Sequence, residues 1–196
     1  MRVALLLAVL ATVPAAPIAG VAVPSLLPTG TFQIVPGESS AVFFVPDNRG
    51  GFSGKTTRVT GRVMVTAQGD LYAAQIEAAI EAGSLETGVG VRDAAMRSTY
   101  LRTAQFRSIT FTGTASARPG LGVRPFPTDV RGRLTVRDAT RDQQFSATVL
   151  ALSREYRADV TTVIKMADYG IPYPRMFIFQ ARDPVTITLH IVARQP

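Results

Sequence analysis

The sequence predicts an all-β protein in which about eight antiparallel strands close into a barrel, with one short helix covering an end. Three observations lead there. Apolar and polar residues alternate with period two through most of the chain beyond Pro28, the mark of half-buried strands. Gly, Pro and Asp punctuate those runs where turns are needed. A single stretch, from Ser84 to the start of the strand at Ile109, abandons the alternation. Closing such a sheet removes its edges, and about eight strands enclose room for one small ligand.

Residues 1–22 read as a secretory signal peptide, with Arg2 as the charged start, an apolar run from Val3 to Val13, and Pro14 and Pro17 ahead of small residues. Cleavage after Ala22, with Gly20 at the minus-three position, fits best; cuts after Ala16 or Gly20 also fit. The run is shorter than the about 20 residues of an ordinary membrane span, and an uncleaved anchor is the alternative. Residues 23–30 then form a linker and residues 31–194 the one domain that a 196-residue chain suggests. With no cysteine, neither a disulfide nor lipid attachment at a thiol is available, so the core alone must hold the fold.

Phe32, Ile34, Ala41, Phe43 and Val45 outline a first strand pair broken at Pro36-Gly37. Gly50-Gly51-Phe52-Ser53-Gly54 reads as a glycine-rich turn and not as a dinucleotide fingerprint, because a strand rather than a helix follows it. That strand carries Val59, Gly61, Val63 and Val65 on one face. After Gly69-Asp70, Ala74, Ile76, Ala78 and Ile80 share a face. In the segment that breaks the pattern, Gly83, Gly88 and Gly90 mark a turn, Met96, Tyr100 and Leu101 recur at helical spacing, and Asp93 stands one turn before Arg97, within reach of an ion pair. Period two returns with Ile109, Phe111, Gly113 and Ala115. A loop from Pro119 to Pro127 precedes the clearest strand, Val130, Gly132, Leu134 and Val136 on one side and Arg131, Arg133, Thr135 and Arg137 on the other. Phe145 to Ala151, Tyr156 to Met166 and Val185 to Ile191 complete the set, with a short piece at Met176 to Phe179.

The order Ser84, Thr87, Arg92-Asp93, Met96, Leu101 and Ile109-Thr110-Phe111 resembles the signature of the YceI-like family, secreted bacterial lipid-binding proteins with a lipocalin-like barrel. Gly132-Arg133-Leu134-Thr135 with Thr140-Arg141, and Asp168-Tyr169-Gly170-Ile171, resemble further motifs of that family. The chain departs from it where Val35 and Glu38 stand in place of an Asp and a His, and where Asp138 replaces a Gly. The resemblance spans Phe32 to about Ala193 and implies a polyisoprenoid, an isoprenoid quinone or a similar apolar lipid as ligand.

Two features favour a hollow over a filled core: many inward positions are Gly or Ala, and the chain has no Trp to fill space. The expected lining is Phe43, Val45, Phe52, Ile76, Ile80, Phe111, Leu134, Val136, Phe145, Val149 and Ile164, with Met96, Tyr100 and Leu101 over one end as a lid or simply as a plug. Period two alone does not say which face is inside. An outer-membrane barrel would alternate likewise, although the absence of Trp and the small residues on the apolar face argue against it. A filled barrel acting as a structural or stress-related envelope protein is the second reading.

The formal charge of +7, nearly all arginine, fits simple solubility first, or else anionic lipid head groups or cell-envelope polymers, and a secreted protein points away from nucleic acid. Arg131, Arg133 and Arg137 form a basic stripe that either touches an anionic membrane or a ligand head group, or is a solvated sheet exterior. With a single His and no Cys, thiol chemistry and multi-histidine metal sites are excluded. A Ser39-His190-Asp168 arrangement can be written down, but no nucleophile-elbow pattern supports it. The expectation is therefore a binding protein without catalysis and without a cofactor, its oligomeric state left open.

Overall fold

Alternation becomes a closed wall in the computed structural model of the chain, which describes residues 27–120, 125–176 and 179–196. The signal peptide and the first half of the linker expected at the start lie outside the described residues. The strands are β1 (Gly30–Ile34), β2 (Ser40–Val45), β3 (Phe52–Thr56), β4 (Val59–Gln68), β5 (Leu71–Glu81), β6 (Ser108–Ala117), β7 (Phe126–Val136), β8 (Ala139–Ala151), β9 (Glu155–Ile164), the short β10 (Arg175–Met176) and β11 (Phe179–Gln180), and β12 (Val185–Arg194). Neighbours pair antiparallel in chain order from β4 to β9; β9 pairs with β12, and β12 pairs with both β1 and β2. On their other side β1 and β2 pair with β4 and β3, which closes the ring. β1 with β2 forms one stave and β3 with β4 another, so the barrel has eight.

This corrects the expected first strand pair. Its two halves are one strand bent at residues 35–39, because both find their partner in β12, far away in sequence. The bend is stabilised by Ser39, which is fully buried: its hydroxyl accepts from the Val192 N–H at 3.0 Å and donates to the Val192 carbonyl at 3.3 Å, replacing the ladder bonds that the bend interrupts. Gly37 N–H donates to Thr57 O at 3.0 Å, so the second stave bends at the same level. Phe52 to Gly54 belong to β3 and not to a turn. The turn precedes them, where the Asp47 carboxylate accepts from the N–H groups of Arg49 and Gly51. The loop expected through Pro127 likewise ends earlier, at Phe126, since Pro127 stands opposite Thr148 in the sheet.

One end of the barrel carries Leu27, the last residues of the chain, the turns 69–70 and 152–154, the end of β6 and the start of β7. The other carries the turn 46–51, the segment 82–107, the turn 137–138 and the segment 165–184. Within 82–107, helix α1 (Gly90–Ala95) runs directly into a wider turn, Met96–Tyr100, in which the Leu101 N–H donates to the Met96 carbonyl at 2.8 Å. A five-residue step of this kind brings Met96 and Leu101 onto one side, which the 3.6-residue period expected from the sequence does not.

Candidate functional site

Residues pointing into the middle of the barrel pack without filling it: Ile76, Phe111, Phe145 and Leu189 lie against Val130, Ala147 and Val160, with the Phe111 and Phe145 rings 5.8 Å apart. Ile76, Phe111, Leu134, Phe145, Ile187 and Leu189 all face inward from their strands, yet each remains half-buried, whereas the inward residues toward the ends, such as Phe32, Val59 and Val185, are buried. The half-exposed surface borders a cavity of about 630 Å³, within the roughly 300–1,000 Å³ usual for small-molecule sites. Phe43, Val45, Phe52, Ile76, Ile80, Met96, Tyr100, Leu101, Phe111, Leu134, Val136, Phe145, Val149 and Ile164 all lie on its wall. The apolar faces that alternation defined are thus brought together inside.

The glycines expected to widen the hollow work differently. Gly113 and Gly132 stand opposite each other, and a Cβ on Gly132 would lie 2.6 Å from the Phe111 ring, which occupies the space side chains would take. Phe43 covers Gly54 in the same way. The glycines therefore seat aromatic rings against the wall, and the volume owes more to Ala74, Ala78, Ala115, Ala147 and Ala158.

The two ends of the hollow differ. At the terminal end Leu27, Phe32, Tyr72, Phe126 and Ala193 are buried and close it. Phe32 meets Tyr156 edge-on with centroids 4.8 Å apart. The Tyr156 hydroxyl donates to Pro28 O at 2.6 Å, and the Leu27 N–H donates to the Tyr72 hydroxyl at 3.2 Å. Burial, with Tyr72 nearby, pushes the Tyr156 phenol well above its ordinary range. Outside this seal Arg194 grips Glu38 through both guanidinium Nη atoms and Glu155 through Nε, while Arg157 holds the other Glu155 oxygen at 2.6 Å. The Arg157 hydrogen bond, opposed by burial and joined by Arg194, keeps the Glu155 carboxyl below its usual range. Leu27 and the clamp around Glu38 carried no signal in local sequence, because their partners are far along the chain.

The opposite end has a mouth. Arg49, Val89 and Arg175 are exposed and still line the cavity, with Gly51, Phe52, Arg92 and Pro174 between them. The motif residues build this rim. Thr56 and Ser84 hydroxyls bond at 2.6 Å, and Lys55 exchanges two backbone bonds with Glu86, which ties the segment to β3. Asp93 is buried and accepts from both the N–H and the hydroxyl of Thr87, at 2.8 and 2.6 Å. Burial opposes its charge, but the Thr87 donors, with Arg97 and Arg92 close by, hold the carboxyl below the usual value. The expected Asp93–Arg97 ion pair is replaced: Arg97 donates to Leu85 O at 3.1 Å instead. Arg92 donates to the Thr87 hydroxyl and lies 4.3 Å above the Phe52 ring.

The basic stripe is shorter than expected. Arg131 and Arg133 are exposed on the outer wall. Arg137 leaves the row because β7 and β8 are joined by the two-residue turn Arg137-Asp138, where Arg137 takes a left-handed φ of 58°. Its side chain, 12% exposed, folds over the barrel end and donates to Gly170 O at 3.0 Å and Tyr100 O at 3.5 Å. The Ser39-His190-Asp168 arrangement does not form. Ser39 is committed to Val192, and His190 pairs with Asp159 at 2.8 Å on the outer wall. Among the described residues no group of three or more His, Asp or Glu is placed to hold a metal ion.

A closed eight-stave antiparallel wall around an apolar hollow defines a lipocalin-like barrel protein. The chain belongs to the YceI-like family, whose domain model matches residues 32–193. Its fold is similar to that of BcnA from Burkholderia cenocepacia, with TM-score 0.65 and 15% identity over 81% of this chain and 98% of that one. A polyisoprenoid binding domain from Saccharophagus degradans, implicated in plant cell wall breakdown, gives TM-score 0.63 and 15% identity over 86% and 100%. A mutant Campylobacter jejuni YceI protein gives 0.57 and 12% over 73% and 84%. No curated protein sequence matches the chain.

Proposed function

We propose that the barrel sequesters or carries a long apolar, isoprenoid-like lipid, such as a polyisoprenoid or an isoprenoid quinone, without catalysis, in the periplasm or outside the cell after loss of residues 1–22. The observation that carries this reading is the unfilled middle of the barrel, where Ile76, Phe111, Leu134, Phe145 and Leu189 present apolar surface to a void of about 630 Å³. Removing apolar surface from water contributes roughly 25 cal/mol per Å², so a chain of isoprene units gains affinity along its whole length without directed contacts. Similarity to a polyisoprenoid binding domain supports the ligand class. Binding without chemistry is supported by the hydroxyl of Ser39 and the ring of His190, both engaged away from the cavity.

Mass spectrometry of an organic extract of protein purified from its native compartment tests the proposal. A stoichiometric long-chain lipid is the expected result. A ligand-free protein with no measurable affinity for isoprenoids would overturn it in favour of a structural envelope role.

A further inference from the structure

We infer that the mouth end docks on an anionic lipid surface, with the valines of the 88–91 segment entering the headgroup boundary and the rim arginines meeting phosphates. This rests on the lipid-binding reading for its purpose, since a buried ligand must be exchanged where lipids reside.

Three features converge on that end. Val89 is 43% exposed and Val91 65%, on a segment flanked by Gly88 and Gly90 where no other element covers them. Tyr173 and Phe44, 42% and 38% exposed, stand near the same rim. The charged residues among those lining the cavity are Arg49, Arg92, Arg175 and Asp47, all at the mouth, and Asp47 is already occupied by two backbone N–H groups. Apolar side chains ringed by guanidinium groups are the combination that an anionic membrane surface attracts, because neither shallow insertion nor charge alone holds a protein there. Continuity with the cavity selects a lipid surface over a protein partner: Val89 belongs to the wall of the hollow and to the exposed rim at once. Arg131 and Arg133 have no such apolar company. Their strand neighbours are Thr112, Thr114, Asp142 and Gln144.

The test is co-sedimentation of the whole protein with vesicles of equal parts phosphatidylglycerol and phosphatidylethanolamine, against phosphatidylcholine alone, at low and high salt. Binding is expected to the first only and to fall with salt. Val91→Asp, which leaves the cavity wall intact, should weaken it about tenfold, and Arg175→Glu by at least about fivefold, while Arg131→Glu with Arg133→Glu leaves it unchanged. Equal binding to both vesicles, no binding to either, or loss of binding only in the Arg131/Arg133 variant would overturn the inference. Uptake of a fluorescent polyene fatty acid from solution, measured without vesicles, reads the cavity separately. Vesicle binding without uptake sinks the lipid-carrier reading and leaves the docking face standing; uptake without vesicle binding does the reverse.

Discussion

The two ends of this barrel solve the same problem, covering the open rim of a cylinder, one of them fully and the other in part. The terminal end is filled by side chains that touch one another, Leu27 against Phe32, Tyr72, Phe126 and Tyr156, and is fastened outside by the Glu38–Arg194–Glu155–Arg157 chain. The mouth end is spanned by two segments: a 20-residue connection whose Met166, Tyr169 and Ile171 are buried with Val45, Val136 and Val185, and a short helix with its flanks, held by side-chain knots such as Thr87–Asp93, that leaves Val89 exposed. Apolar contact is dense at the first and interrupted at the second. The difference teaches that stability and exchange are assigned to separate places: damage to the seal should appear as lost stability, damage to the mouth as altered traffic.

The largest effect is expected between the two ends. Replacing Leu134 or Phe111 with Asp puts an unpaired carboxylate into an apolar hollow, at a cost of several kcal/mol, and should reduce lipid retention more than about 100-fold; unchanged retention in a folded variant would show that these faces do not meet the ligand. Next comes the sealed half. Ser39→Ala strands the buried Val192 N–H, which costs about 1–3 kcal/mol, and at roughly 2–4 °C per kcal/mol for a chain of this size the melting temperature should fall by several degrees while lipid release stays as in the wild type. At the mouth the opposite pattern is expected. Asp93→Ala removes the knot on Thr87, so release in a stopped-flow transfer assay should quicken about tenfold, equivalent to about 1.4 kcal/mol, with a smaller fall in melting temperature than Ser39→Ala gives.

Acid gives the smallest contrast, and its sign follows from the carboxyls. Glu155, Glu38 and Asp93 all sit below their ordinary values of 4.5, 4.5 and 3.8 in the folded chain. Each therefore contributes stability that is fully present above those values and is lost as the pH falls through the lower folded ones. Stability should be level above about pH 5 and decline below about pH 4, and Glu155→Gln should flatten that decline.

Much of this was legible in the sequence, for a physical reason. In a half-buried strand every residue records its own side, so the apolar faces holding Ile76, Leu134 or Val149 could be read two residues at a time, and the small residues on those faces and the absence of Trp argued that they turn inward. The presence of the helix followed from the loss of that period. What escaped reading depends on partners far along the chain. The bend at residues 35–39 makes sense only with Val192 beside Ser39, 153 positions away. Leu27 looked like linker because Tyr72 and Phe126 are what bury it. Arg137 continued the alternation on paper, but a two-residue turn ends the strand one position earlier and swings the side chain over the rim. Arg49, Val89 and Arg175 sit in segments without periodicity, where local sequence has no way to place a side chain on the rim.

Arg137 has a mechanical consequence. Around the mouth end, its hairpin stands across from the 46–51 turn, and its one side chain holds the carbonyls of both Tyr100 and Gly170, one from each covering segment. The two flaps are thus pinned together on that side like the spine of a book. At the fore-edge each cover is fastened separately, one to β3 through Lys55 and Glu86 and the other to the 46–51 turn through the Arg182 N–H and Pro46 O, with Phe52, Val89 and Arg175 bordering the opening.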